Sequence, residues 1–371
     1  MTELERTQLV TLARDIDFVS ENRAHCLEVV GSLEASQRYV VGPDGVRIGR
    51  TAPCDIVLPD SGISRAHCAL SIANNHLIVT DLGSTNGTFV EGDRVQGSVE
   101  LPVGGILQIG SHVFRHEWRT RGEIAKAEEG DRELQRAASY VQALLPPPIT
   151  EGPIRANWTY LPSARLGGDA FGYGTLPDGK FVAYLIDVAG HGAGAAMHGV
   201  AVMNQLRQRS LPGADMAEPG QVLATLNALF QMEEHAGLYF TIWYGVFDPA
   251  SRTICFANGG HHPAYLVPID RSEAMPLKVR GGMIGAMPGL SYRTGTIDVP
   301  PGASLYLFSD GVFEIVTNDE QEWGLDDFLP LLTAPPELDK GEAQRLLESV
   351  SRKARPGGFD DDFSLVVFEF D

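Results

Sequence analysis

Between about His25 and Trp118 the chain alternates short apolar runs (CLEVV, RYVVG, CDIVL, CALSI, LIVTD, TFVEG, ILQIG, VFRHEW) with turn residues. A turn signal every ~8–12 positions predicts an all-β sandwich or barrel. From Arg121 to Leu145 the period changes: Leu134, Ala137, Ala138, Val141, Leu144 and Leu145 fall at helical spacing. Pro146-Pro147-Pro148 closes that helix, because proline lacks the amide donor and turns its predecessor away from the α region. Beyond it, strand-like runs (FVAYLIDVA, YFTIWYGVF, TICFANG, SLYLFSDGV, DFSLVVFEF) mix with helical ones (GAAMHGVAVMNQLRQ, PGQVLATLNALFQM, EAQRLLESVSRKA). Strands grouped between helix pairs predict an α+β layered domain. The expected division is a tail over 1–24, helical or loose, a β-rich module over 25–120, a helical linker over 121–148 and an α+β module over 149–371.

Composition narrows the functional classes. At ~150 residues per domain, 371 residues suit two domains and a connector. With 43% hydrophobic and 21% charged residues the chain is that of a globular protein with a full core. The 48 acids against 29 bases, net −19, argue against nucleic acid or an anionic membrane as the main partner, since polyanions call for a basic face. The charge divides unevenly: −5 over residues 1–120, where the only bases are arginines, −1 over 121–148 and −13 over 149–371. Cys26, Cys54, Cys68 and Cys255 form no CxxC pair, the N-terminus has no basic-then-apolar leader, and no apolar run approaches ~18 residues. These features predict a cytoplasmic protein.

Four strings stand out in the β-rich region: Gly49-Arg50, CDIVLPD, Gly62-Ile63-Ser64-Arg65-Ala66-His67 and DLGSTNGTFVEG. Arg50 and Arg65 offer guanidinium forks that match phosphate, with the Ser64 hydroxyl beside them. Asn86-Gly87 is a turn signal, and its amide can meet a ligand backbone. Solvated arginines and plain turn residues are the other reading of the same spacing. In this order the four strings resemble the forkhead-associated (FHA) domain over about Cys26 to Arg119. The resemblance implies a β-sandwich that reads phosphothreonine, with Arg50, Ser64 and Arg65 on the phosphate and Thr85 and Asn86 on the phosphate and peptide main chain. His67 would brace the loop. Glu91-Gly92, where the family commonly has Asn-Gly, lies outside the pocket.

In the C-terminal module acids fall at strand ends. Asp169 follows Gly167-Gly168, Asp187 ends FVAYLI, Asp310 ends LYLFS, and Asp360-Asp361-Asp362 precede FSLVVFEF. Half-buried carboxylates repel one another unless a cation lies between them. Hard divalent ions take oxygen ligands, so four carboxylates from four segments suit Mg²⁺ or Mn²⁺. Taken singly, each Asp also fits a turn or a solvated face. Together, LGGDAFGYGTLPDGKFVAYLIDVAGHGAGAAM, FANGGHHPAYLV, GMIGAMPG, LYLFSDGVFE, NDEQEWGLDDF and FDDDFSLVV resemble the bacterial PP2C-type metal-dependent phosphatases, in the stage II sporulation E and RsbU-like branch.

That resemblance implies an α-β-β-α sandwich with two Mn²⁺ or Mg²⁺ ions and water attacking phosphorus directly. It implies that Asp187 bridges the metals with the Val188 carbonyl as a further ligand, that Asp310 and Asp361 bind one metal, and that Asp169 completes the set. Asp361 takes the first place of the D-D-x-S/T string and is preferred to Asp362. The branch often carries a second acid where this chain has Gly172. His191, four residues after Asp187, is either a proton donor to the departing oxygen or a packing residue; His261 and His262 read as structural.

The stretch DRELQRAASYVQALLP resembles the helix preceding RsbU-like catalytic domains. Its stripe either packs on its own domain or pairs with a second copy in a homodimer; at three to four turns it is short for an isolated coiled coil. The expected function is a phosphoserine/phosphothreonine phosphatase whose FHA module recruits or senses phosphothreonine proteins in bacterial signalling. Implied partners are a STAS-type anti-sigma antagonist or targets of a Ser/Thr kinase. The alternative is a silent phosphopeptide-binding scaffold with a phosphatase fold, which the retention of all four acids disfavours. A metal-dependent nuclease is disfavoured by the −13 charge.

Overall fold

In the N-terminal part the alternation becomes two sheets. One runs in the order Arg38–Val41, Arg23–Val30, His112–Thr120, Ile106–Ile109, Thr88–Val90, Asp93–Arg94. The other runs Ile56–Val57, Val46–Gly49, Cys68–Ala73, His76–Asp81, Ser98–Leu101. Their inward residues, among them Leu27, Ile48, Leu70, Val79, Leu107 and Phe114, form one apolar core. The strand ending at Gly49 lies antiparallel to the one starting at Cys68, which lies antiparallel to the one ending at Asp81. Residues 50–55, 58–67 and 82–87 therefore leave the same end of one sheet.

The computed structural model describes residues 22–30, 38–209, 211–337, 339–355 and 359–371, so nearly all of the expected N-terminal tail lies outside the described residues. The chain divides into two compact units, Met1–Glu133 and Leu134–Asp371.

A helix, α1, spans Arg121–Leu144 and ends at the three prolines. Its 24 residues make it longer than the three to four turns expected from the DRELQ stretch alone. A capping box starts it: the Glu123 amide donates to Thr120 Oγ1 at 3.2 Å, and the Thr120 amide donates to Glu123 Oε2 at 2.8 Å. The signal was present in Thr120-Arg121-Gly122-Glu123. Along the stripe Leu145 is buried, Ala138, Val141 and Leu144 are half-buried, and Leu134 and Ala137 are exposed, so burial grows toward the C-terminal end of α1.

The second unit has four layers. One sheet runs Ala170–Thr175, Phe181–Val188, Phe240–Asp248, Thr253–Gly259, Gly295–Asp298; the other runs Ile154–Leu161, Phe363–Phe370, Ala303–Phe308, Ala264–Val267, Met275–Leu277. Phe181 meets Phe368 at 5.6 Å, and Phe247 meets Phe370 at 4.6 Å, between ring centroids across the two sheets. Helices α2 (Ala193–Arg207) and α3 (Pro219–Leu229) cover the first sheet. Helix α4 (Leu325–Thr333) packs on α5 (Glu342–Ser351), which covers the second. Strands covered on both faces are apolar on both, which is why Phe181–Ile186 are all buried and read as a continuous run. The expected α-β-β-α sandwich is the fold observed. No helix among the described residues is long and apolar enough to cross a membrane, and all four cysteines are free thiols.

A buried ion cluster ties α5 to its sheet. Glu342 Oε1 accepts hydrogen bonds from Arg345 at 2.6 Å, Arg271 at 3.0 Å and the Tyr306 hydroxyl at 2.9 Å. Burial works to raise the Glu342 carboxyl, but the two guanidinium groups hold it below the ordinary range. Removing the acid strands two arginines, of which Arg345 is only 4% exposed. Glu342→Ala should lower the urea-unfolding free energy of this unit by about 3–5 kcal/mol. Unchanged stability would show that the cluster is not needed.

Candidate metal centre and phosphate-reading pocket

In the first unit, Arg50, Ser64, Arg65, Thr85 and Asn86 all line one open cavity of about 710 Å³. Their three loops leave one end of the sheet, and buried hydrogen bonds join them. The Ser64 amide donates to His67 Nδ1 at 3.1 Å, which leaves Nε2 protonated to donate to the Gly87 carbonyl at 3.1 Å. His67 is fully buried, so this single tautomer pins the GISRAH loop to the Asn86-Gly87 turn. Ser64 Oγ accepts from the Thr85 amide at 3.0 Å, and Asn86 Nδ2 donates to the Gly62 carbonyl at 2.8 Å. Arg50 and Arg65 are exposed and form no ion pair among the described residues.

Asp81 organises the same end and was not singled out from the sequence. Its carboxylate accepts from the Gly83 and Ser84 amides at 2.8 and 2.9 Å and from the Ser84 and Thr88 hydroxyls at 2.6 and 2.7 Å. Burial opposes ionisation, but these bonds outweigh it and hold the carboxyl at about 2. The available signal was Asp81-Leu82-Gly83-Ser84, an Asx-type turn.

In the second unit the four expected acids come from both sheets. Asp169 precedes the strand Ala170–Thr175, and Asp187 lies next to the end of its antiparallel neighbour Phe181–Val188. Asp310 follows Ala303–Phe308, and Asp361 precedes its antiparallel neighbour Phe363–Phe370. Each sheet thus brings two acids to one end, and the four feel one another. Asp169 is 4% exposed, and burial followed by repulsion from Asp187 and Asp362 drives its carboxyl well above the ordinary range. Asp187 is raised by burial and then by Asp310, Asp361 and Asp362. Burial, Asp361 and Glu314 push Asp310 up to about 6. Asp361 is raised by burial and Asp362, while His191 acts against this. His191 thus lies at the same end, exposed. Glu314 is a further exposed acid there that sequence reasoning did not mark.

The arrangement fits hard cations. Asp169 Oδ2 is buried with no hydrogen-bond partner, an acceptor aimed at something other than protein. Among the described residues no three such side chains stand close enough together to form a ligand set.

Asp362 is the residue that sequence reasoning passed over in favour of Asp361, and the structure separates their positions. Asp361 is exposed, whereas Asp362 is 5% exposed and accepts from the Ser163 amide at 2.7 Å, the Ser163 hydroxyl at 2.9 Å, the Gly168 amide at 2.6 Å and the Asp169 amide at 3.3 Å. Its carbonyl accepts from Ser309 Oγ at 2.8 Å, beside Asp310. The paired glycines permit the approach: a Cβ on Gly167 would lie 2.5 Å from Asp362 Oδ2, and one on Gly168 2.9 Å from the Val188 carbonyl. Gly172 also has a steric reason, since the Tyr184 hydroxyl occupies the place a side chain would take, 2.2 Å from its Cβ. His261 is buried and His262 half-buried; their rings meet, and His262 also lies against Phe308 and Phe313.

Two sheets between helical layers, with acids at one end, define the PP2C-type class. The solved SiaA-PP2C domain of Pseudomonas aeruginosa shares this fold, with a TM-score of 0.56 and 20% identity over 67% of this chain and 99% of that one. Residues 177–371 match the stage II sporulation protein E (SpoIIE) family and residues 46–110 match the FHA domain. The chain belongs to the SpoIIE family, with an FHA domain preceding its catalytic-type fold. Phosphoserine phosphatase RsbP of Bacillus subtilis is 27% identical over 49% of this chain and 45% of its own length. The FHA domain-containing protein FhaB of Mycolicibacterium smegmatis is 37% identical over 24% of this chain and 59% of its own length. The chain therefore spans about half the length of these curated relatives.

Two expectations follow. Asp187→Asn removes one repelling charge, so it should stabilise the metal-free protein by about 1 kcal/mol at neutral pH while weakening the Mn²⁺-induced rise in Tm. Equal Mn²⁺ shifts in parent and variant would contradict the metal assignment. Asp362→Ala strands buried donors and should lower Mn²⁺ affinity by about 10–100-fold, measured by calorimetric titration.

Proposed function

We propose that this protein is a Mn²⁺- or Mg²⁺-dependent protein phosphatase acting on phosphoserine or phosphothreonine, with an FHA module that recruits or senses phosphothreonine proteins in bacterial signalling. The carrying observation is that Asp169, Asp187, Asp310 and Asp361 come from the two sheets to one end and raise one another's carboxyls, with a buried Asp169 oxygen left unpartnered. Asp169, Asp187, Asp310 and Asp361, with the Val188 carbonyl, would hold two divalent ions. Bound ions supply the positive charge and Lewis acidity for attack by water on a phosphoryl ester.

The protein's own residues do the rest. Asp362 orients the Asp169 loop through the Gly168 and Asp169 amides. His191 is exposed at the rim beside Asp361, placed to hand a proton to the departing seryl or threonyl oxygen as its bond to phosphorus breaks. The phosphoserine activity in the name of RsbP supports a phosphoserine protein as substrate. In the proposed division, residues 25–120 read, 121–148 connect and 149–371 hydrolyse; exposed Leu134 and Ala137 on α1 leave room for pairing with a second copy. At the reader, Arg50, Ser64 and Arg65 would take the phosphate, and Thr85 and Asn86 the phosphate and peptide backbone.

Phosphate release from a phosphoserine peptide should require Mn²⁺ or Mg²⁺, stop on chelation, and fall by at least about 100-fold in Asp187→Asn and Asp310→Asn. Activity in the parent no higher than in the variants would leave the scaffold reading. For the reader, a phosphothreonine peptide should bind and its unphosphorylated form should not, with Arg50→Ala weakening binding by at least about tenfold.

A further inference from the structure

The phosphate-reading cavity holds one more arginine than its proposed ligand requires. Arg47, on the strand Val46–Gly49, lines it together with Arg50 and Arg65. None of the cavity's lining residues is Asp or Glu. Two other arginines of this acidic module are neutralised locally, Arg38 by Glu28 at 2.6 Å and Arg119 by Glu117 at 2.6 Å, while Arg94 and Arg115 form no ion pair among the described residues. Arg47, Arg50 and Arg65 form no ion pair among the described residues. Asp55, close by, binds backbone and forms no ion pair with Arg47: its Oδ2 accepts from the Arg47 amide at 2.8 Å.

Charge matching then sets the ligand. A phosphothreonine carries about −1.5 to −2 at neutral pH, short of three guanidinium charges. The cavity, about 710 Å³, is of the size that takes a whole small ligand and not a phosphoryl group alone. We propose that Arg47 is a specificity-determining residue, and that the cavity selects phosphothreonine segments bearing a second anionic group close to the phosphothreonine. Two sources share that chemistry, an acidic side chain and a second phosphate. The proposal rests on the phosphothreonine reading above.

The test uses the full chain in chelator, so that bound peptide is not hydrolysed, and fluorescence anisotropy with four labelled peptides of one length. These are phosphothreonine with neutral flanks, phosphothreonine with Asp and Glu flanks, a doubly phosphorylated peptide, and the unphosphorylated acidic peptide. The parent should bind the second or third at least about fivefold more tightly than the first, and the unphosphorylated peptide weakly. Preference for the doubly phosphorylated peptide alone identifies the second group as phosphate; preference for both admits acidic side chains. Arg47→Ala should bring the ratio below about twofold, and Arg47→Lys should restore part of it, since it keeps the charge but loses the fork. Arg47 is exposed, and an unchanged Tm verifies that the variants fold. Equal binding of all phosphorylated peptides by the parent, or a preference that survives Arg47→Ala, overturns the proposal alone. If no peptide depends on phosphorylation for binding, the phosphothreonine reading fails, and this proposal with it.

Discussion

The second unit is organised around carboxylates that repel one another at a place where the fold will not let them separate. Two antiparallel strand pairs, one from each sheet, end at the same point, and each pair carries two acids. Their ionised forms are disfavoured by burial and by one another. What keeps the point intact is the neighbouring acid that is fully satisfied. Asp362 gathers the amides and hydroxyl of the loop before Asp169, while its own carbonyl holds Ser309. Mutual repulsion is thus held in place by one buried knot of hydrogen bonds, and the glycines beside it serve that closeness.

The first unit solves the opposite electrostatic problem. It concentrates unpaired guanidinium groups at one end of a sheet in an acidic chain, and it builds their surroundings from buried polar side chains that are fully engaged. His67 joins two loops through one tautomer, and Asp81 holds one of these, the segment from Gly83 to Thr88, through four donors. The Arg50 and Arg65 guanidinium groups are then free for a ligand, while Ser64 and Asn86 help to hold the loops.

Much of this was legible along the chain. The change of period at Arg121 marked the helix, the proline run marked its end, and the strand-end positions of Asp169, Asp187, Asp310 and Asp361 marked the cluster. The start and exposure of α1 were read less well. The capping box at Thr120–Glu123 extends the helix beyond the apolar stripe, and the stripe runs from exposed Leu134 and Ala137 to buried Leu145. A helical period shows which residues share a face; whether anything covers that face is settled elsewhere in the chain.

By itself, then, the sequence determined the period of each element, the order of the modules and the residue types at strand ends, because these are local properties of neighbouring side chains. Only the tertiary structure decided which acid stays exposed and which is buried and spent on distant donors, since adjacent Asp361 and Asp362 differ in what folds against them. It likewise gave Gly172 its reason in Tyr184, on the paired strand, and set Arg47 beside Arg50 and Arg65. Such juxtapositions arise from strand pairing and loop convergence between distant segments, which local pattern does not encode.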